Sequence, residues 1–186
     1  ALKKSITKKT RAIMNNTHNN PTGVCYTKEA LLELGKLAVE HDFYIISDEV
    51  YEKLVYDNNR HICIAGLSKE IYDRSIIING FSKSHAMTGW RIGYTAASKE
   101  ISRGIAALQG HITSNSTTFV QWAALEGLKT CDDSVEYMRK EFEKRRDFIY
   151  EAMNQISGIH CTKPEGAIVK QSKIQTNMFI CDAMCL

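Results

Sequence analysis

The sequence predicts an α/β fold, a sheet covered by helices, and three observations carry that reading. Short β-branched runs alternate with longer stretches of helical periodicity. Two of the runs, FYIIS at Phe43–Ser47 and SIIIN at Ser75–Asn79, are almost continuously apolar, as strands covered on both faces are. The 186 residues are 44% hydrophobic and 24% charged, which provides a sizeable core and excludes a disordered or low-complexity chain.

Taken in order, a first strand is expected at Arg11–Asn15. Thr27 can cap a helix over Lys28–His41, where Leu31, Leu34, Leu37 and Ala38 share one side at steps of three and four. Strands at Phe43–Ser47 and Ser75–Asn79 follow, and a less apolar run at Ile92–Ala96 adds a fourth. Helices are expected at Ser98–Leu108 and Thr117–Lys129, with the polar stretch His111–Thr118 as a loop between them. A long helix over Ser134–Ile156 carries Val135, Met138, Phe142, Ile149, Met153 and Ile156 along one stripe, interrupted by Arg145 and Arg146. Its basic residues Arg139, Lys140, Lys144, Arg145 and Arg146 are interleaved with Glu141 and Glu143, the pattern of a solvated face laced by i,i+4 pairs.

A net charge of +3, evenly spread, argues against a nucleic-acid partner. The six cysteines form no CxxC pair and have no histidine at zinc-finger spacing, so neither a structural metal nor a disulfide framework is expected, and a reducing cytoplasm suits them. No run approaches the roughly 18 apolar residues of a membrane span, and Ala1–Thr10 lacks the apolar segment of a signal peptide. With no internal repeat or Gly/Ser-rich linker, the chain is read as one domain or part of one.

Three segments place polar residues directly after strands, where open α/β sheets form ligand crevices. His18-Asn19-Asn20-Pro21-Thr22-Gly23 is composed of turn formers and, alone, reads equally as a connection. Ser47-Asp48-Glu49-Val50-Tyr51 ends an apolar strand in two carboxylates, either of which could simply cap a following helix. Gly80-Phe81-Ser82-Lys83-Ser84-His85-Ala86-Met87-Thr88-Gly89-Trp90-Arg91-Ile92-Gly93 sets a lysine just past a buried strand, where desolvation favours a nucleophilic amine, although an ordinary surface lysine is the alternative. His85, Met87, Trp90 and Trp122 are read as packing or loop residues.

Together, NNPTG, SDEVY and GFSKSHAMTGWRIG resemble the fold-type I pyridoxal-phosphate enzymes, in particular the class I/II aminotransferases of the aspartate aminotransferase type, over Leu2–Ala167. The resemblance implies a three-layer α/β/α large domain whose mixed, mostly parallel sheet is supplied here in part. It implies pyridoxal 5′-phosphate held by Lys83 as a Schiff base, with Lys83 then shuttling a proton. Asp48 would pair with the pyridine nitrogen, Tyr51 and Asn20 would hydrogen-bond the phenolic oxygen, and Arg91 would grip the phosphate as a bidentate fork. Ser82 would add a phosphate contact, and Gly80 stands where many relatives carry a phosphate-binding serine. The implied reaction moves an amino group between an amino acid, aspartate or an aromatic one, and a 2-oxo acid, in a cytoplasmic homodimer. A C–S β-lyase of the same fold, a non-catalytic module and an inactive fragment are the alternatives.

Residues 1–167 are thus expected to form a cofactor-binding core. The family's glycine-rich phosphate loop, ring-stacking aromatic and carboxylate-binding arginine are expected to lie outside these 186 residues. The tail 168–186, IVKQSKIQTNMFICDAMCL, departs from the family pattern and reads as the product of a truncated or frame-shifted gene, with Cys181 and Cys185 not expected to bind metal.

Overall fold

A computed structural model describes residues 2–167, and beyond them the backbone of two strands at 169–174 and 179–183. Strand β1 (Ala12–Asn16) leads through the 17–27 loop into helix α1 (Lys28–Glu40), whose N-cap is the expected Thr27, accepting from the Ala30 amide. Then come β2 (Tyr44–Asp48), the short helix α2 (Lys69–Asp73), β3 (Ser75–Gly80), the single turn α3 (Phe81–Ser84) and β4 (Gly93–Ala96). β1, β2 and β3 run parallel and β4 antiparallel to β3, in the order β1-β2-β3-β4. This is the expected mixed, mostly parallel sheet.

One face of the sheet is well covered. Ile45 and Ile77 pack under Leu31, Leu37 and Ala38 of α1 and Ile71 of α2, with Phe43 and Ile64 closing the edge of the cluster. The opposite face is more open among the described residues: Met14 is 74%, Tyr44 37% and Ile78 37% exposed. The apolar runs that suggested burial on both faces therefore have one covered face within these residues.

Helices α4 (Lys99–Thr113), α5 (Thr118–Thr130) and α6 (Asp132–Asn154) follow. α4 runs through part of the stretch expected as a loop. Ile101, Ile105, Leu108 and Ile112 continue at steps of three and four, and the break comes only at Ser114, in left-handed backbone. α5 packs on α6 and buries Val120, Ala124 and Gly127; Ala124 joins Phe81 and Met87 in a second cluster, so Met87 fills core as expected, whereas Trp122 is exposed. β5 (Ile159–Cys161), β6 (Val169–Ile174) and β7 (Phe179–Ala183) form a separate antiparallel sheet in sequence order. The tail thus contributes strand backbone, while Cys185 lies outside the described residues.

The basic run on α6 corrects the sequence reading at one position. Arg139, Lys140 and Lys144 do pair with Glu136, Glu141 and Glu143 along the surface. Arg146 instead is 1% exposed: it donates to Asp57 Oδ2 at 2.8 Å and to the Pro164 carbonyl at 2.8 Å, with its guanidinium 4.8 Å from the Tyr56 ring centroid. It closes the helix onto the segment that follows the site, a contact whose partners are far away in sequence.

Candidate active site

The carboxyl ends of three adjacent parallel strands bring the expected residues together. Asn16 pairs in register with Asp48, and Asp48 with Ile78, so the segments beginning at residues 17, 49 and 81 leave the sheet side by side. The first begins with the Thr17 amide donating to the Asp48 carbonyl at 3.1 Å. It then turns at Gly23, where φ is +70° and an added Cβ would lie 2.4 Å from Pro164 Cβ, so a side chain is excluded there twice over.

Asn20 Nδ2 donates to the Tyr51 hydroxyl at 3.2 Å. The two groups expected to serve one oxygen of a ligand are therefore already adjacent. Tyr51 is 4% exposed and packs with Leu54 and Ala167 against Val50 and Phe142. Lys83, half-buried in α3, holds its amine 5.6 Å from the Tyr51 ring centroid. Asp48 is half-buried at the end of β2, and its Oδ1 accepts the Val50 amide at 3.2 Å. The carboxylates cap no helix, because a turn follows β2 in place of one. Ser82 is half-buried beside Lys83.

Arg91 stands apart from this group. It is exposed, in left-handed backbone, and its Nη1 donates to the Thr88 carbonyl at 2.8 Å. It lines a cleft of about 660 Å³ with Trp90, Gln109, Thr113, Ser116 and Phe119. Between Lys83 and Arg91 the chain reverses so tightly that an added Cβ on Gly93 would lie 2.8 Å from the Asn79 carbonyl oxygen, which explains the glycine after Arg91-Ile92.

The donor set fits pyridoxal phosphate: an amine, a carboxylate and two phenol-oxygen partners meet at one rim, with a guanidinium nearby in sequence. Asn16 adds a buried Oδ1 that has no partner, an acceptor available to a ligand's donor. A family profile described as "Aminotransferase class I and II" matches residues 1–178. The chain belongs to the class I and II aminotransferases.

Among its relatives in that family, an aspartate aminotransferase of Bacillus subtilis (strain 168) is 48% identical over 166 residues, spanning 89% of this chain and 42% of the relative. An aromatic-amino-acid aminotransferase 2 of Thermococcus litoralis is 44% identical over 168 residues, spanning 89% of this chain and 43% of the relative. The solved aromatic aminotransferase of Pyrococcus horikoshii OT3 superposes with a TM-score of 0.89 at 43% identity, covering 94% of this chain and 47% of that one. The chain thus spans less than half the length of these aminotransferases.

Two residues of the site region were not singled out in the sequence. Glu49, weighed only as a cap, is buried; burial raises its pKa, but the hydrogen bond and charge of His61, with bonds from Ser47 and Cys63, outweigh that and hold the carboxyl below its usual range. His61 lies in a polar loop without periodicity and gave no signal. Glu49, Glu52 and His61 bring one possible ligand atom each to within 4.8 Å of one another, although the atoms of His61 and Glu49 already bond to each other.

Proposed function

We propose that this chain is the cofactor-binding core of a pyridoxal-phosphate-dependent aminotransferase that moves an amino group between an amino acid and a 2-oxo acid. The observation that carries this reading is the convergence of Lys83, Tyr51, Asn20 and Asp48 on the carboxyl ends of three adjacent strands. Bound pyridoxal phosphate would supply the electron sink that amino-group transfer needs. Lys83 Nζ would hold the cofactor and, when free of it, would carry the proton on and off the substrate α-carbon. The Asp48 carboxylate holds a proton on the pyridine nitrogen. Tyr51 Oη and Asn20 Nδ2, already in contact, orient and stabilise the phenolic oxygen. Arg91, whose Nη1 donates to the Thr88 carbonyl, would grip the phosphate, and Ser82 would add a hydroxyl beside it.

The named activities of the relatives support aspartate or an aromatic amino acid as the amino donor; a homodimer in the cytoplasm is part of the same proposal and rests on the family resemblance alone. No helix among the described residues is long and apolar enough to cross a membrane.

The test is a visible absorbance spectrum of the purified chain with added pyridoxal phosphate, before and after borohydride, beside Lys83→Ala. A reducible band present in the native chain and absent from the variant is the expected result. A band that persists without Lys83, or none at all, would overturn the reading that this chain alone assembles the cofactor site.

A further inference from the structure

His18, His61 and Glu49 form a buried chain of hydrogen bonds at the strand ends that carry Asn20, Asp48 and Tyr51. Glu49 is 1% and His18 2% exposed, and His61, from the loop between β2 and α2, lies between them. Its Nε2 is 2.7 Å from Glu49 Oε2, and its Nδ1 is 3.2 Å from His18 Nε2. The chain continues at the other carboxylate oxygen: Ser47 Oγ donates to Glu49 Oε1 at 3.0 Å, and Asn15 Nδ2 donates to Ser47 Oγ at 3.4 Å. The Ile64 amide donates to the same Oε1 at 3.4 Å. With both imidazoles neutral, His18 Nε2–H donates to His61 Nδ1 and His61 Nε2–H donates to Glu49. That assignment leaves His18 Nδ1 a bare acceptor, and His18 Nδ1 is the imidazole atom of this network that lacks a partner.

None of these three groups has a part in the chemistry assigned above. We propose that His61 is a positioning residue for the cofactor site: by bridging Glu49 to His18 it fixes the 17–23 loop, and with it Asn20, against the segment that carries Asp48 and Tyr51. The purpose of that alignment rests on the proposed function, whereas the bridge is a property of this chain's own side chains.

Removing the imidazole takes from the buried Glu49 the partner of its Oε2, while Oε1 keeps Ser47 and Ile64, and frees the His18 end of the loop; buried groups stripped of a partner drive local rearrangement. What then ties the 17–23 loop to the rest of the chain is the Thr17 amide on the Asp48 carbonyl, the Asn20–Tyr51 bond and, at its far end, the Gly23 carbonyl accepting from the Glu165 and Gly166 amides. The strands below do not depend on His61, because their ladders are complete in themselves. His61→Gln is the informative replacement: its side-chain amide can donate to Glu49 and accept from His18, as the imidazole does.

Hydrogen exchange of the full 186-residue chain, read by mass spectrometry without added cofactor, tests this. His61→Ala is expected to speed exchange across 17–24 about tenfold while 44–48 and 75–80 keep their protection, and His61→Gln to restore the loop. His18→Phe, which fills the same space without the bond, is expected to loosen the same loop and gives the answer if His61→Ala does not fold. Unchanged exchange in 17–24, an increase spread equally over the strands, or a loosened loop that glutamine does not restore would each overturn the proposal. Uptake of pyridoxal phosphate does not enter this readout, so a chain that takes up none would count against the proposed function and leave the positioning role to be decided by exchange alone.

Discussion

At His18, burial and the neighbouring His61 both disfavour the protonated ring and outweigh the attraction of Glu49, so the imidazole pKa falls from 6.5 to about 4. The unfolded chain takes up this proton below 6.5 while the folded chain refuses it until about 4, so the stability contributed is complete above 6.5 and is lost as the pH falls through that window. The Glu49 carboxyl, held below its usual range, adds to the loss at lower pH. Thermal melts across pH 4 to 7 should show the melting temperature falling with acidification, with the slope reduced in His18→Asn. A flat profile in the native chain would refute this account. Nearby thiols are quiet: burial and Glu165 push Cys25 up to about 12, and burial and Glu49 push Cys63 up to about 11, which leaves little thiolate near neutral pH. Lys83, Asp48, Tyr51 and Asn20 could be picked out of the sequence because each lies at or shortly after a strand end and the three motifs together resemble those of one family. His61 was not, because its meaning lies in partners 12 and 43 positions away, which no local pattern encodes.

Among the elements, the strands and α1 could be read from apolar runs and a cap, with boundaries displaced by a residue or so. α4 runs five residues past its expected end at Leu108, because polar residues on an exposed helical side look like a loop when the apolar spacing is not followed to its end. α6 shows the limit of periodicity most clearly. Arg145 and Arg146 interrupt the same stripe, yet Arg145 is exposed and Arg146 buried, since Asp57 stands 89 positions away to receive it. Arg146→Met should therefore destabilise the fold by about 2–3 kcal/mol, the buried charge and its carbonyl partner being lost while Asp57 keeps partial access to water. Arg139→Ala, which removes surface pairs with Glu136 and Glu143, should cost under about 1 kcal/mol. Urea denaturation of the two variants distinguishes them, and equal losses would contradict this assignment.

For the whole molecule, the open sheet face with Met14, Tyr44 and Ile78 and the exposed Phe119, Trp122 and Leu128 of α5 leave much apolar surface in water. Relatives more than twice as long share this segment, and in isolation the chain is expected to self-associate. Light scattering should show apparent mass rising with concentration in the micromolar range, reduced by Met14→Lys with Ile78→Lys. A monodisperse monomer at all concentrations would show that these faces do not stick. The one-face cover of the sheet was not legible, because an apolar strand reads the same whether its second face is covered by this chain or left open.

The Gly23 carbonyl accepts from the Glu165 and Gly166 amides at 2.9 and 3.0 Å, and the Cys25 amide donates to Glu165 across 140 residues of chain. β1 to β3 can pair in the order they leave the ribosome, whereas this clasp must wait for nearly the whole sequence and bear the entropy of closing its longest loop. Assembly therefore has a direction: the sheet comes early, and the clasp on the turn bearing Asn20 closes only when Glu165 and Gly166 return to it. A nascent chain arrested before Glu165 would carry Lys83 and Asp48 on a formed sheet while the turn beside them still lacked its latch.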